Sequence, residues 1–448
     1  MPGFGHLRVA ESLGLDNAMK DRPLLSTGKG VWNTAWAQAS RTPPPLDEPE
    51  EGGISPLEMS RSNVPVGLVI LLLLVLAPLS CALRSPGGGD LHPSVEHLVP
   101  VTLLPSADTS RANRSTSTDT PTIRMVGPDG TDGSRLAPWR EGVGVPVEVR
   151  SPEARGTPVD SLLVVTWNVH VGGGDVLRFV DDLRSGRITG DPVDHFLILL
   201  QEAHRAGMDI PATADGGGVP ARIGSVPPSG ERIDIVEATR RLGLNLVYAP
   251  SMRNGFNNGG PPEDRGNAIL STLPLTDPMA IELPYESQRR VSTVARVEGV
   301  DSLGSPWRFK AVSVHLDTRS RWSRLLDSLG PARLRQARGL VEALSMKEPT
   351  VLGGDLNTWF LPPLEEALPY LLERFPDTPR TQGDHTFQVA GIIRLHLDHL
   401  LYRLPDPYRA GSVGRVDSRY GSDHFPVLGW LHVGADGPGG DPRGGSSS

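Results

Sequence analysis

The nine residues TVLGGDLNT, positions 350–358, carry the pattern on which the fold depends. A short strand-like run leads into two glycines, and a carboxylate and an amide follow at Asp355 and Asn357. Apolar runs bounded by turn residues predict buried β-strands. Asp355 and Asn357 therefore stand where a strand ends and the chain turns outward. Because they are two residues apart, their side chains point to the same side of an extended segment.

Polar side chains stand at the ends or starts of other apolar runs along the chain. The set comprises Asn168, Glu202, His315, Asp398, Asp423 and His424. Singly, each has an ordinary interpretation as a turn residue, a helix-capping carboxylate, a half-buried imidazole or part of a surface pair. Together they favour a functional site, because acidic and imidazole side chains rarely lie in apolar surroundings unless they are paired with another group or bind a ligand. The set predicts a site at which strand ends converge.

The stretches between these motifs alternate strand-like runs with helical spacing. Helical spacing falls at Val176–Leu183, Ile233–Leu242, Leu334–Leu344 and Leu364–Phe375. Later strand-like runs follow one another without helices between them. Strands joined partly by hairpins and partly by crossovers favour an α/β domain with mixed sheets over a purely parallel, doubly wound sheet.

Composition limits what the chain can be. Glycine and proline supply 51 and 43 of the 448 residues, whereas aromatic residues make up 5 % and hydrophobic residues 38 %. These values argue against an all-membrane protein and against full disorder. The single cysteine excludes a disulfide framework and cysteine-based zinc sites. The formal net charge is -8, whereas nucleic-acid-binding proteins usually carry an excess of basic residues.

The chain divides into five parts. We predict a disordered region at residues 1–63, a hydrophobic membrane segment at 64–83, a disordered linker at 84–158, an α/β domain at 159–434 and a disordered tail at 435–448. The segment 64–83 carries no charge, and as a helix it is about 30 Å long, enough to cross a bilayer. Met59 and Arg61 directly precede it, as a methionine and a positive charge precede the apolar region of a signal peptide. We therefore predict Met59 as an alternative start of translation.

Cys81, the only cysteine, falls at the end of the apolar run. This placement resembles a bacterial lipoprotein signal, in which the cysteine after the cut is acylated, although Pro78 stands where such signals usually carry leucine. A lipid-anchored Cys81 and an uncleaved transmembrane helix at 64–83 both stay open. Either one anchors the protein to a membrane with the following residues outside the cytoplasm, at the cell surface or in the periplasm.

The ordered series WNVH, QE, GNAIL, VHLD, GGDLNT, LDHLL and SDHFPV resembles the endonuclease/exonuclease/phosphatase superfamily of deoxyribonuclease-like, metal-dependent phosphodiesterases. The match runs from Ser161 to about Leu431, and GGDLNT and SDHFPV are its most specific motifs. The resemblance implies a four-layer α/β/β/α sandwich of two mixed sheets and metal-dependent cleavage of a phosphate ester.

Hydrolysis of a phosphate ester requires stabilisation of charge on the phosphoryl oxygens, an in-line water and a proton for the leaving oxygen. Glu202, with Asn168 beside it, is the expected site for Mg²⁺ or Mn²⁺, because a single carboxylate with waters and substrate phosphate suits a hard cation. We expect Asp423 to reach the metal too. His170 stands where members of the family carry an acidic residue two positions after the asparagine, which leaves a second metal ligand open.

The other candidates divide between catalysis and substrate binding. Asp355 and Asn357 would orient a water and donate to a phosphoryl oxygen. His315 and His424 are candidates for phosphate contact and proton transfer, because imidazole titrates near neutral pH. Asp398 would orient His424 and raise its basicity.

Two further features concern the substrate. Arg265 and Asn267, ahead of the AILST strand, are expected to shape the substrate cleft. Six arginines between positions 319 and 338 form either a phosphate grip or a solvated helix face.

The substrate stays open at this point. Nucleic acid is one candidate, because the family includes nucleases. A phospholipid or sphingolipid head group is the other, because the domain is expected to be tethered beside a bilayer. The net negative charge of the chain argues against nucleic acid, since binding to it depends largely on neutralising phosphates. A different class of function is a catalytically inactive surface module that binds a phosphorylated ligand. The presence of Glu202, Asp355, Asp398 and His424 argues against that alternative. We predict a monomer.

Overall fold

The structure is a computed structural model. It describes residues 98–105, 122–152, 157–211, 232–254, 261–318, 331–358, 365–380, 385–389 and 393–434, all within one compact unit. The predicted parts 1–63, 64–83 and 435–448, with Cys81, lie outside these ranges. Within the ranges, no helix has the length and apolar character needed to span a bilayer.

Two seven-stranded mixed sheets contain most of the described strands, which are numbered in chain order. From edge to edge, the first sheet consists of Leu98–Pro105 (β1), Thr122–Pro128 (β2), Leu275–Glu282 (β8), Val291–Val300 (β9), Pro306–His315 (β10), Thr350–Asp355 (β11) and Asp398–Arg403 (β14). The second consists of Arg409–Arg415 (β15), Val427–His432 (β16), Ser161–Asn168 (β4), Phe196–Ala206 (β5), Glu263–Ser271 (β7), Asn245–Arg253 (β6) and Val147–Val149 (β3). Phe387–Val389 (β12) and Ile393–Leu395 (β13) form a separate ribbon.

Alternating side chains of single strands build two different cores. In β4, Leu162 and Val164 pack in a core shared by both sheets, whereas Leu163 and Val165 pack in a second core that includes helical residues. This period of two is the signature of a strand buried on both faces. The two sheets therefore lie face to face.

The described residues form five helices, which are Gly130–Glu141 (α1), Val176–Arg184 (α2), Ile235–Leu242 (α3), Pro331–Leu344 (α4) and Ala367–Arg374 (α5). The last four cover the outer faces of the sheets. Phe179 of α2 and Ile235 of α3 pack on the second sheet, and Leu340 of α4 and Leu371 of α5 pack on the first. The predicted α/β class with two mixed sheets is confirmed, and these contacts complete the four layers.

The segment predicted as a disordered linker contains part of the fold. β1 and β2 extend the first sheet beside β8, and β3 pairs with β6 at the edge of the second. The α1 helix is fixed by ion pairs from Arg140 to Glu282 and from Asp132 to Arg335. The linker prediction is therefore wrong for residues 98–105 and 122–149, because distant strands supply the pairing that stabilises these short elements.

Two parallel crossovers position the polar strand ends. β4 pairs in parallel with β5, and α2 lies between them in sequence; β10 pairs in parallel with β11, and α4 lies between them. Parallel strands end at the same edge of a sheet. Asn168 at the end of β4 and Asp355 at the end of β11 thereby meet across the interface of the two sheets.

Candidate active site

Three neighbouring strands of the first sheet place His315, Asp355 and Asp398 side by side. His315 is opposite Asp355 in the parallel pair β10–β11, and Asp398 is opposite Asp355 in the antiparallel pair β11–β14. All three residues are buried. His315 Nε2 lies 3.4 Å from Asp355 Oδ2. The row therefore sets Asp355 between an imidazole and a second carboxylate.

Asn168 joins this row from the second sheet. Its Nδ2 donates to Asp355 Oδ2 at 3.0 Å. Its Oδ1 accepts from the backbone N–H of His170 at 3.0 Å, which fixes the direction of the amide. Polar groups from both sheets thus contact the Asp355 carboxylate.

His424 reaches the row from the loop before β16. Its Nδ1 lies 2.7 Å from Asp398 Oδ2, and its Nε2 lies 3.7 Å from Asp355 Oδ2. Trp167 Nε1 donates to the His424 carbonyl at 3.2 Å, and Ser422 Oγ accepts from the His424 backbone N–H at 3.1 Å. These bonds hold the imidazole between two carboxylates.

Burial and pairing perturb the pKa values of two of these groups. Burial lowers the pKa of His424, but the attraction of Asp398, with Asp355 and Asp423 adding to it, outweighs burial and raises the pKa to about 10. Burial also raises the pKa of Asp355 to about 7, with His424 opposing the rise. His424 is therefore a cation at neutral pH, whereas Asp355 titrates where a general base is most effective.

Glu202 occupies a bulge inside β5 and does not end the strand, contrary to the sequence interpretation. β5 continues to Ala206, and its register with β7 shifts between Leu200 and Ala203. Glu202 has a φ of +54°, a left-handed conformation that is uncommon for a side chain of this kind. A bulge re-aims a side chain out of the strand's regular alternation, and here Glu202 lines a cavity.

The cavity has a volume of about 330 Å³. Its polar lining comprises Asn168, His170, Glu202, His315, Thr318, Asp355, Asn357, Asp423 and His424. Its apolar lining comprises Val171, Phe387, Leu395 and Leu397. The ring centroid of Phe387 lies 4.7 Å from that of His424. Titratable groups therefore converge next to an apolar wall.

A larger groove of about 960 Å³ lies elsewhere on the fold. Its lining includes Lys310, whereas His315 at the far end of the same strand lines the smaller cavity. Two cations of the groove are engaged: Arg296 pairs with Asp277 and Glu348, and Lys310 pairs with Glu348. The smaller cavity, with its perturbed carboxylate and imidazole, is therefore the candidate active site.

A sequence model of the endonuclease/exonuclease/phosphatase family matches residues 165–424, more than half of the chain and all of the cavity lining. The chain belongs to this family. No curated protein matches the chain.

Several solved structures are similar to this endonuclease/exonuclease/phosphatase family member. A family protein from Beutenbergia cavernae is 20 % identical, with 62 % of this chain and 72 % of that chain covered and a TM-score of 0.43. The human Nocturnin catalytic domain is 16 % identical over 64 % of this chain and 99 % of its own, with a TM-score of 0.38. A mannosyl-6-phosphatase from Bacteroides thetaiotaomicron is 13 % identical over 60 % and 99 %, with a TM-score of 0.36. At these identities none of them assigns a substrate.

Enzymes of the endonuclease/exonuclease/phosphatase family depend on a divalent metal, and the cavity supplies donors that fit one. Asp355, Asp398 and His424 each place a ligand atom within 4.8 Å of the others. At 2.7 Å, however, His424 Nδ1 and Asp398 Oδ2 are at the distance of a charge-assisted hydrogen bond and engage each other. Glu202 and Asn168 offer carboxylate and amide oxygens, the ligand types that hard divalent cations prefer.

Asp398, Arg265 and Asn267 lie outside the cavity lining. Asp398 does not line the cavity but contacts His424, which does. Arg265 is buried behind Glu202, with Nη1 3.5 Å from Glu202 Oε2. Asn267 lies between the sheets, and its Nδ2 donates to backbone carbonyls of β9 and β10 at 2.8 and 3.2 Å. The structure therefore places Asn267 away from the cleft, contrary to the prediction.

Asn357 and Asp423 both line the cavity. The backbone N–H of Asn357 donates to Asp355 Oδ1 at 3.0 Å, and its Nδ2 donates to the Leu316 carbonyl at 3.1 Å. One hydrogen of that amide is thus engaged, and within the described residues the other has no acceptor. The Asp423 side chain is 34 % exposed and lies 3.7 Å from His170 Nδ1.

Three of the six arginines in the predicted basic concentration are described, and each contacts other side chains of the fold; the Arg338 guanidinium lies 5.8 Å from the centre of the Tyr370 ring. Arg333 forms a buried ion pair with Glu365, and Arg335 pairs with Glu286 and Asp132. Arg319, Arg321 and Arg324 lie outside the described residues.

Thr386 is a site residue that the sequence interpretation missed. Its Oγ1 accepts from the backbone N–H groups of Leu397 and Asp398 at 2.9 and 3.0 Å, and its carbonyl accepts from the Phe425 N–H at 2.8 Å. Thr386 thus joins the segments that carry Asp398 and His424. The alternating run TFQV could have indicated a strand here, but nothing in it indicates contact with the site.

Proposed function

We propose that the protein hydrolyses phosphate esters with a divalent cation, Mg²⁺ or Mn²⁺. The observation that supports this most is the convergence of Asp355, His315 and His424, from three separate segments, on one cavity that Glu202 also lines. A general base, imidazole donors and a carboxylate for a cation are the groups that phosphoryl transfer to water requires.

Asp355 is the proposed base. Its Oδ1 accepts from the Asn357 backbone N–H, and its Oδ2 accepts from Asn168 Nδ2. These bonds fix the carboxylate plane, so a lone pair is presented to a water in a constant direction. Ionised Asp355 would orient that water and accept its proton as the oxygen attacks phosphorus.

His424, next to the proposed base Asp355, is proposed to act as a cationic hydrogen-bond donor to the substrate. Its Nδ1–H donates to Asp398, which leaves Nε2–H to donate toward a phosphoryl oxygen or the leaving oxygen. His315, on the other side of Asp355, is a second imidazole for the same phosphate. Asp398 is a positioning residue, because it acts on the substrate only through His424.

Glu202, Asn168 and Asp423 are the residues proposed to hold the cation. All three line the cavity and offer oxygen ligands. A bound divalent cation neutralises charge that develops on the phosphoryl oxygens.

The proposed substrates are nucleic acid or a phospholipid head group. Phe387, Leu395 and Leu397 give the cavity an apolar wall, which suits a substrate that carries the flat face of a base or an acyl chain, as nucleic acid and phospholipids do. Assay of the full chain in detergent with Mn²⁺ on bis-p-nitrophenyl phosphate tests the reaction, and a single-stranded oligonucleotide and sphingomyelin vesicles then separate the substrates. We expect release of p-nitrophenol; absence of hydrolysis with all three would contradict the proposal.

Membrane attachment outside the cytoplasm is proposed from residues 64–83 and Cys81 alone. Mass mapping of the native N-terminus tests it. An acylated Cys81 supports the lipid anchor, and an unprocessed chain in the membrane fraction supports the helix. An unprocessed chain recovered without membrane, with Cys81 unmodified, would contradict both.

A further inference from the structure

Thr318 is a polar residue of the cavity that the mechanism above does not use. It follows β10 by three residues, and its side chain lines the cavity. Gln288 Nε2 lies 3.2 Å from Thr318 Oγ1 and 3.3 Å from Asp317 Oδ1. One amide therefore contacts a buried carboxylate and a cavity hydroxyl together.

The Asp317 carboxylate determines which way the Gln288 amide faces. Asp317 accepts from the Ser287 N–H at 2.7 Å, from Ser287 Oγ at 2.8 Å and from the Gln288 N–H at 3.2 Å. Burial raises its pKa, but Arg290 and these hydrogen bonds outweigh burial and hold the pKa below its usual value. An ionised carboxylate only accepts hydrogen bonds, so the nitrogen of Gln288 must face it.

The two hydrogens of Gln288 Nε2 then point to Asp317 and Thr318. Thr318 Oγ1 is the acceptor of the second bond, and a hydroxyl that accepts in this way keeps its own hydrogen to donate. Within the part of the chain that the structure describes, no group accepts that hydrogen from Thr318. Thr318 lines the cavity, so a phosphate oxygen bound there could accept that hydrogen.

We propose that Thr318 donates a hydrogen bond to an oxygen of the phosphate ester bound in the cavity, with Gln288 and Asp317 as positioning residues. This inference rests on the proposed phosphate-ester hydrolysis. It adds a neutral donor on the β10 side of the cavity, beyond the imidazoles of His315 and His424. The donor is fixed before substrate binds, which lowers the cost of orienting it.

Thr318→Val tests the proposal, because it removes the hydroxyl and keeps the shape. We expect kcat/KM for bis-p-nitrophenyl phosphate to fall about 10- to 100-fold, as for loss of a hydrogen bond to a charged group. Thr318→Ser should restore the rate to within about threefold of the parent, because the hydroxyl returns. Thr189→Val is the matched control, because Thr189 lies in a turn after α2 and its hydroxyl donates to the Asp191 carbonyl at 2.6 Å.

A double-mutant cycle separates positioning from a structural role. Gln288→Met should lower kcat/KM about three- to tenfold in the parent and have little further effect in Thr318→Val, because the group that it orients is already gone. Equal effects in both backgrounds would overturn the positioning role. A Thr318→Val variant within twofold of the parent, or a Thr318→Ser variant as impaired as Thr318→Val, would overturn the donor.

Failure of the proposed function gives a different result. If the parent hydrolyses no ester, the hydrolase proposal fails, and the affinity for inorganic phosphate still tests Thr318. Weaker phosphate binding by Thr318→Val, restored in Thr318→Ser, would then support the donor, and equal binding by all three proteins would overturn it.

Discussion

Replacement of Asp355 by asparagine is expected to lower kcat for phosphate-ester hydrolysis about 10³-fold. Asparagine has the same shape but cannot take a proton from water. The substitution also removes the negative charge that lies 3.4 Å from His315 and 3.7 Å from His424. Initial rates on bis-p-nitrophenyl phosphate at saturating Mn²⁺ measure the effect.

The matched control for this variant is Asp417→Asn. Asp417 is 96 % exposed and pairs with Arg415 on the surface, so its rate should stay within about twofold of the parent. An Asp355→Asn variant that keeps the parental rate would contradict the assignment of the base. A parent that binds phosphate but hydrolyses nothing would instead indicate the inactive, ligand-binding module.

Replacement of Asp398 by asparagine is expected to lower the rate about 10²-fold at pH 8, with a changed pH profile. In the parent, His424 keeps its proton up to a pKa of about 10 because Asp398 and its neighbours outweigh burial. Without the Asp398 charge, the pKa of His424 falls. The variant should therefore lose activity as pH rises through the neutral range, whereas the parent should not.

Profiles of kcat between pH 5.5 and 9.5 test this prediction. The parent should show an acid limb, because the pKa of Asp355 is about 7 and its protonation below that pH removes the base. Asp417→Asn again serves as the control. Parallel profiles for the parent and Asp398→Asn would show that Asp398 does not set the protonation of His424.

The strand-end part of the site could be predicted from sequence. His315, Asp355 and Asp398 each follow or begin an apolar run, and strands with such runs pair in register inside a mixed sheet. Local patterning therefore carries enough information to bring these three side chains together.

Other parts of the site depend on contacts that local patterning does not encode. The bulge at Glu202 shifts the register between β5 and β7, and the pattern of apolar residues in β5 does not indicate such a shift. Asn267 looks like a cleft residue until the facing sheet supplies its carbonyl partners. Gln288 reaches Thr318 across 30 residues of sequence, and β2 and β3, which lie before residue 150, pair with the distant strands β8 and β6.

The most direct measurement is hydrolysis of bis-p-nitrophenyl phosphate by the full chain in detergent, before and after removal of divalent cations with EDTA. We expect the rate to fall to that of the uncatalysed reaction and to return when Mg²⁺ or Mn²⁺ is added. Glu202→Gln should require about tenfold or more added metal for half-maximal rate, and should bind Mn²⁺ correspondingly more weakly in calorimetry. An undiminished rate in EDTA would contradict a cation-dependent site.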